Sequence, residues 1–197
     1  MQESKQTVKK LLIKNMVCNC CCRVLKESLN NLNLEVISVT IGKAEIKYNP
    51  HEIKVSSIEE KLKDNGFELI YNKNEEIVEQ IKIAVVELVH YYNFSNSLLR
   101  NSDFIVEKLG MSYPHLSKIF SENEKVTLEK YIILQKIEKV KQLLITEELT
   151  VSEISYQMGY SSVQYLSNQF KREVGMSISE FKRLPNPTLK PINRLTE

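Results

Sequence analysis

The sequence predicts an α+β domain at the amino end and an all-α domain after it. Three observations carry this. Up to about Tyr71 runs of apolar residues at every second position are mixed with runs at helical spacing, from Ile77 on the spacing is helical throughout, and two stretches of the helical part can be laid over each other. The 197 residues suffice for two small domains, each with its own core. A composition of 42% hydrophobic and 26% charged residues is globular and excludes a disordered or fibrous chain. No apolar run approaches the ~18 residues of a membrane span. The opening MQESKQTVKK has no apolar stretch of signal-peptide kind, so a cytoplasmic protein without membrane contact is expected. A formal net charge of +2 points to no partner class.

In the first part, Leu11 and Ile13, then Ile37, Val39 and Ile41, then Ala44, Ile46 and Tyr48 alternate as half-buried strands do. Gly42-Lys43, between the second and third runs, suits a tight hairpin. Between the first two runs Val24, Leu25, Leu29 and Leu32 fall at helical spacing. Ile58, Leu62 and a stop at Gly66 mark a second helix, and Phe67 to Ile70 a last strand. The order βαββαβ packs two helices on one face of an antiparallel sheet, a ferredoxin-like arrangement expected over residues 1–73. Residues 72–76 are polar and read as a linker.

Candidate helices then cover 77–92, 103–109, 113–122, 128–145, 151–158, 163–174 and 178–184, about seven in all. Thr150 with Glu153, and Ser177 with Glu180, fit a capping box, in which hydroxyl and carboxylate satisfy free backbone donors at a helix start. Pro185, Pro187 and Pro191 predict an irregular tail over 185–197.

The helical part repeats. Gly110-Met111-Ser112, Leu116-Ser117, Phe120, Thr127 and Tyr131 match Gly159-Tyr160-Ser161, Leu166-Ser167, Phe170, Ser177 and Phe181. The glycines are 49 positions apart and the leucines 50, so one residue is inserted and the register then holds. Each copy has a short helix, a turn glycine, a serine able to cap, and a second helix with two apolar positions of buried kind. A helix-turn-helix is written in this way. Two copies in register, joined by the long 128–145 pattern, are far more specific than one. Charge favours the competing reading, a duplicated helical bundle without nucleic acid, because residues 76–197 hold 15 basic and 15 acidic side chains. Locally the balance recovers. Lys171, Arg172, Lys182, Arg183, Lys190 and Arg194 outnumber Glu173, Glu180 and Glu197, and Lys118 lies on the first presented helix.

Residues 149–183, LTVSEISYQMGYSSVQYLSNQFKREVGMSISEFKR, closely resemble the second helix-turn-helix and closing helix of the AraC/XylS transcription regulators, and LGMSYPHLSKIF resembles the first. The resemblance covers residues 78–184. It implies a seven-helix unit whose two recognition helices enter successive major-groove turns on one side of double-stranded DNA, ~34 Å apart. It puts the base-reading positions on Pro114, Ser117 and Lys118, and on Val163, Gln164, Ser167 and Asn168. Gln164 and Asn168 have the amide geometry for adenine edges, and Lys118 can reach guanine or a phosphate. Lys171 and Arg172 are expected on phosphates, which add affinity without sequence information. Pro114 has no side-chain donor, so the first helix is expected to read little beyond shape. Ile178 stands where the family usually has a proline. Leu116, Phe120, Leu166 and Phe170 are core positions, whereas His115 and Tyr165 serve either packing or DNA contact.

All four cysteines lie between Cys18 and Cys22, too close in sequence to staple a fold. That implies a reducing compartment and thiols kept for chemistry. Cys18 and Cys21 have C-x-x-C spacing where a loop enters a helix, and the helix amino terminus favours the thiolate that binds metal. Two soft thiolates without a nearby histidine suit Cu(I) in near-linear geometry, while Zn(II) wants two more ligands. Met16, Cys18 and Cys21 form M-x-C-x-x-C; with the βαββαβ order and Gly66-Phe67, residues 7–72 resemble the heavy-metal-associated domain of copper chaperones and metal-pumping ATPases. The resemblance implies that Met16 packs beneath the loop without ligating and that Phe67 lies near the metal. Cys20 departs from the pattern as an exposed third thiol, raising affinity or acting in redox chemistry. Cys22 replaces a small half-buried apolar residue. Thioredoxin-like use of the same motif wants a different strand order, and a retained fold that only dimerises is the remaining alternative.

Together these readings describe a cytoplasmic transcription regulator, more in keeping with an activator. Its amino-terminal module binds a soft metal effector and biases homodimerisation or the DNA-binding half. The alternative is a metal buffer or carrier whose helical half docks a protein partner. An enzyme is not expected: His51, His90 and His115 fall in separate elements, and neither a phosphate loop nor G-x-S-x-G is present.

Overall fold

The computed structural model describes residues 6–91, 101–193 and 195. The chain divides into two compact units, Met1–Ile83 and Ala84–Glu197. Among the described residues no helix is long and apolar enough to cross a membrane.

The first unit is built from β1 (Thr7–Lys14), α1 (Asn19–Asn30), β2 (Glu35–Thr40), β3 (Lys43–Tyr48), α2 (Val55–Lys63) and β4 (Glu68–Leu69). The strands form one antiparallel sheet in the order β2-β3-β1-β4. Alternation places Leu11, Ile13, Ala44, Ile46 and Tyr48 on the buried face, where Leu25 and Leu29 of α1 and Ile58 and Leu62 of α2 pack on them. Each such side chain removed from water contributes ~1.5–3 kcal/mol before the loss of chain entropy.

Three local expectations are corrected. Ile37 does not face the core but stands 47% exposed, because a bulge between Val36 and Ser38 shifts the alternation and turns Val36 inward with Val39. Val24 is also exposed, at the edge of the α1 stripe. The tight turn is Ile41-Gly42, since Thr40 already pairs with Lys43, and Gly42 takes the left-handed φ of 81° that such a turn demands.

The polar stretch 72–76 is helical from its second residue, as α3 spans Lys73–Val86. Asn72 starts it: its Oδ1 accepts the Glu75 N–H at 2.8 Å and its carbonyl the Glu76 N–H at 3.1 Å. Glu75 and Glu76 then lie where the helix dipole favours negative charge. The polarity of these residues marks a helix start.

The second unit continues from the end of α3 through a π-type stretch, Glu87–Tyr91, to α4 (Asn101–Leu109), α5 (Tyr113–Asn123), α6 (Leu128–Thr146), α7 (Val151–Gln157), α8 (Val163–Val174) and α9 (Ile178–Lys182). Tyr92, at the end of the first expected helix, and Arg194 and Glu197 of the tail charge balance lie outside the described residues. Helix α6 is buried on several sides, at Leu128, Tyr131, Ile132, Gln135, Ile137, Val140 and Leu144, and contacts α5, α7 and α8. Both capping boxes form, Thr150 with Glu153 and Ser177 with Glu180.

The tail is irregular but anchored. Gln135 Nε2 donates to the Ile192 carbonyl at 2.7 Å, the Lys190 N–H donates to Glu138, and Leu195 is buried. Gln135 and Glu138 are themselves buried on α6, so the tail supplies partners that these polar groups need.

Candidate nucleic-acid interface and thiol pair

The duplicated segments fold alike. Residues 114–122 of α5 and 164–172 of α8 bury the same positions: Leu116, Ile119 and Phe120 in one, Leu166, Gln169 and Phe170 in the other. Each copy fixes its second helix to the next one through an aromatic pair, Phe120–Tyr131 with centroids 5.2 Å apart and Phe170–Phe181 at 5.5 Å. Gly110 and Gly159 both have positive φ, 64° and 69°, so each turn uses the conformation that only glycine adopts without strain. Ser162 caps α8 by accepting the Tyr165 N–H at 3.1 Å. Ser112 begins α5 without such a bond, and Pro114 stands in the first turn, where a missing N–H is tolerated.

This packing leaves equivalent faces outward. On α5, Pro114 and Lys118 are exposed and Ser117 is half-buried; on α8, Val163, Gln164 and Asn168 are exposed and Ser167 is half-buried. Gln164 Nε2 donates to Asn168 Oδ1 at 3.0 Å, so the two amides stand side by side on one face. The Gln164 Oε1 acceptor and the Asn168 Nδ2 donors remain outside that bond, a set that matches an adenine edge. Lys118 Nζ lies 3.9 Å from Glu122, an exposed pair that a phosphate can displace.

One turn further along α8, Lys171 and Arg172 are exposed. Arg172 Nε donates to Glu173 at 3.2 Å, and Lys130 also bonds Glu173. Burial pushes the Glu173 carboxyl up, but these two cations outweigh it and hold it below the usual carboxylate range. Tyr165, equivalent to His115, is 56% exposed and has its ring 6.0 Å from Tyr160. A cleft of about 450 Å³ lies between the two copies, lined among others by Tyr113, Glu129, Lys136, Tyr160 and Tyr165. Sequence reasoning had no signal for it, because its walls come from four separate elements.

In the first unit Cys18 is the N-cap of α1, and its sulfur lies 3.6 Å from that of Cys21. Both sulfurs can therefore reach one ion through metal–sulfur bonds of ~2.3 Å. Burial raises the Cys18 thiol, but hydrogen bonds from the Cys21 backbone and thiol and from Cys20 outweigh it and bring the pKa below the ordinary value. Cys22 goes the other way, raised by burial and then by the neighbouring Cys21 and Cys18 sulfurs. It packs against the apolar core. Cys20 is exposed, and among the described residues no three His, Cys, Asp or Glu side chains are grouped to hold a metal. The fit is thus to an ion content with two thiolates. Met16 is fully buried and Phe67 nearly so.

Comparison with known proteins bears on the helical half. The family described as "Helix-turn-helix domain" matches residues 105–184. The xylose operon regulatory protein of Escherichia coli (strain K12) is 31% identical over 99 residues, which cover 50% of this chain and 25% of that protein. The Msm operon regulatory protein of Streptococcus mutans is 33% identical over 87 residues, 44% of this chain and 31% of that protein. The carboxy-terminal half carries a helix-turn-helix domain. Its matches thus span about a quarter to a third of these curated relatives. Among solved structures, the C-terminal domain of AraT, a response regulator from Geobacillus stearothermophilus, aligns at 27% identity and a TM-score of 0.46, covering 54% of this chain and 84% of that one.

Proposed function

We propose that the chain is a sequence-specific DNA-binding transcription regulator, with α8 as the principal reading helix and α5 as its partner in the adjacent major-groove turn. The observation that carries this is the repeated burial pattern of α5 and α8, which leaves the same helix face free in both copies. The relatives named as operon regulators support it. In this reading Gln164 and Asn168 contact bases, with Pro114, Ser117, Lys118, Val163 and Ser167 beside them in the grooves. Lys171 and Arg172 hold phosphates. Activation is the expected sign, and the cytoplasm the expected place.

The same proposal assigns the first unit to the ferredoxin-like, heavy-metal-associated type. Its βαββαβ order and β2-β3-β1-β4 sheet support that assignment. Cys18 and Cys21 would hold a soft ion, Cu(I) in preference to Zn(II), because two converging thiolates complete a near-linear site and leave a tetrahedral one half filled. Bound there, the metal supplies charge neutralisation and a cross-link between the loop and α1. Coupling of this kind is typically ~1–3 kcal/mol, expressed through DNA affinity or homodimerisation.

Selection of binding sites from random DNA, followed by footprinting with and without Cu(I), tests both parts. Two protected major-groove segments about one helical turn apart are expected. Failure to enrich any sequence refutes the regulator. Enrichment with an affinity and oligomeric state indifferent to bound Cu(I) refutes the sensor.

A further inference from the structure

One buried carboxylate in the first unit is attached to the cysteine loop from outside it. Glu79, on α3, is 5% exposed and accepts the Asn15 N–H at 2.7 Å. Asn15 has a left-handed φ of 70°, a conformation that asparagine adopts more readily than other residues with a side chain and that suits a turn. Two ties fix it here: the Glu79 carboxylate on its N–H, and its own Nδ2 donating to the Gly66 carbonyl at 3.0 Å. The next residue is the fully buried Met16, and Cys18 follows two positions later. The segment presenting the thiol pair thus starts from a turn that α3 helps to hold.

The rest of that helix face has the same target. Glu75 pairs with Lys14 at 3.1 Å and Glu76 with Lys43 at 3.6 Å. Ile83 Cδ1 lies 3.2 Å from where a Cβ on Gly42 would stand. Positions 75, 76, 79 and 83 are one stripe of a helix, and that stripe meets the end of β1 and the β2–β3 turn. The helix itself runs on to Val86.

We infer that Glu79 is a positioning residue for the thiol loop: by holding the Asn15 N–H it fixes the turn that presents Cys18 and Cys21, and it returns a change in that loop to α3. The return path follows from reciprocity, since a contact that orders the loop is itself strengthened when an ion orders the loop. The first half stands on the metal-free geometry. The second rests on the metal reading above.

The test uses the full chain, Glu79→Ala and Glu79→Gln, with amide exchange followed by NMR. In metal-free protein Glu79→Ala is expected to speed exchange at Asn15 and through residues 16–22 about tenfold, the equivalent of one lost charge-assisted hydrogen bond. Glu79→Gln keeps an acceptor oxygen and should speed it only a few-fold, which also serves if the alanine variant fails to fold. Exchange at Asn15 equal to that of the unaltered chain in the folded variants overturns the positioning role. Cu(I) alone is then added. The expected result is slower exchange at residues 80–86 in the unaltered chain and a smaller slowing in Glu79→Ala at equal Cu(I) loading. Equal slowing in both, or none in a fully loaded unaltered chain, overturns the return path. No uptake of Cu(I) by the unaltered chain overturns the metal reading together with the return path that rests on it, while the exchange rates of the metal-free variants decide the positioning role either way.

Discussion

Lys136 gives the sharpest test of how the helical unit is packed. It projects from α6 with 9% of its surface exposed, donates from Nζ to the Met158 carbonyl at 3.1 Å, and lies 5.6 Å from the centre of the Tyr160 ring. Burial lowers its pKa from an ordinary 10.5 to about 8. That fall corresponds to about 3 kcal/mol held against the charged form. Below pH 8 folded and unfolded chains are both protonated at this site, and the whole penalty is present. Between about 8 and 10.5 the unfolded chain binds the extra proton, so stability rises with pH by ~1.4 kcal/mol per pH unit. Tyr113 and Tyr160 are both raised above their ordinary value of 10.0 by burial, so they oppose the rise only at higher pH. The assay is urea unfolding of the unaltered chain and Lys136→Met at pH 7.5 and 9.5, followed by circular dichroism. The unaltered chain should gain roughly 2 kcal/mol relative to the variant across that interval. Cys18 and Cys22 titrate nearby but are common to both proteins and cancel in the difference. At pH 7.5 the variant should match or exceed the parent, because relief of the buried charge offsets about 1 kcal/mol for the lost bond to Met158. Parallel behaviour of the two proteins at both pH values would refute the reasoning.

Other outcomes follow from the interface and the thiols. Gln164→Ala and Asn168→Ala should each weaken binding to the selected site by ~1–3 kcal/mol and relax base preference locally, measured by titration against single-base site variants. Because the two amides bond each other, the double variant should lose less than the sum. Lys171→Ala with Arg172→Ala should weaken all sequences alike and lower the salt dependence by about two counterions, read from affinity at several salt concentrations. Ser162→Ala should lower unfolding stability by ~1 kcal/mol, whereas Ser112→Ala should change little, since only Ser162 makes the capping bond. Alkylation below pH 8.5, located by mass spectrometry, should reach Cys18 before Cys22, as the shifts of the two thiols run in opposite directions.

Much of the helical half was legible because its signals are local. Thr150 and Ser177 each have a glutamate three residues on, and both boxes close as the spacing demands. The repeat was legible because duplication preserves what packing needs, so Phe120 and Phe170 each find an aromatic on the following helix. What escaped depends on partners distant in sequence. Ile37 turns outward through a bulge that alternation cannot reveal. The polar stretch beginning at Asn72 starts a helix because its acids meet a dipole and two lysines from other strands. The anchoring of the irregular tail escaped because its partners, Gln135 and Glu138, sit on a helix about 50 residues earlier.

The zero net charge of residues 76–197 stood against a DNA partner, and the equivalence of α5 and α8 explains how it is compatible with one. Positions 121 and 122 of α5 and 171 and 172 of α8 are exposed in the same places, yet they carry Ser121 and Glu122 in the first copy and Lys171 and Arg172 in the second. Glu122 there faces Lys118, while the carboxylate beside Arg172 is the half-buried Glu173, already shared with Lys130. Positive charge is therefore concentrated on one copy and offset on the other, and a domain-wide sum hides the difference. The amides of Gln164 and Asn168 lie on that same second helix, whereas the equivalent positions in the first are Pro114 and Lys118. In the proposed function, phosphate attraction and base discrimination therefore both fall on α8. On that proposal the first copy, with fewer donors, serves chiefly to set the register of the second along the groove.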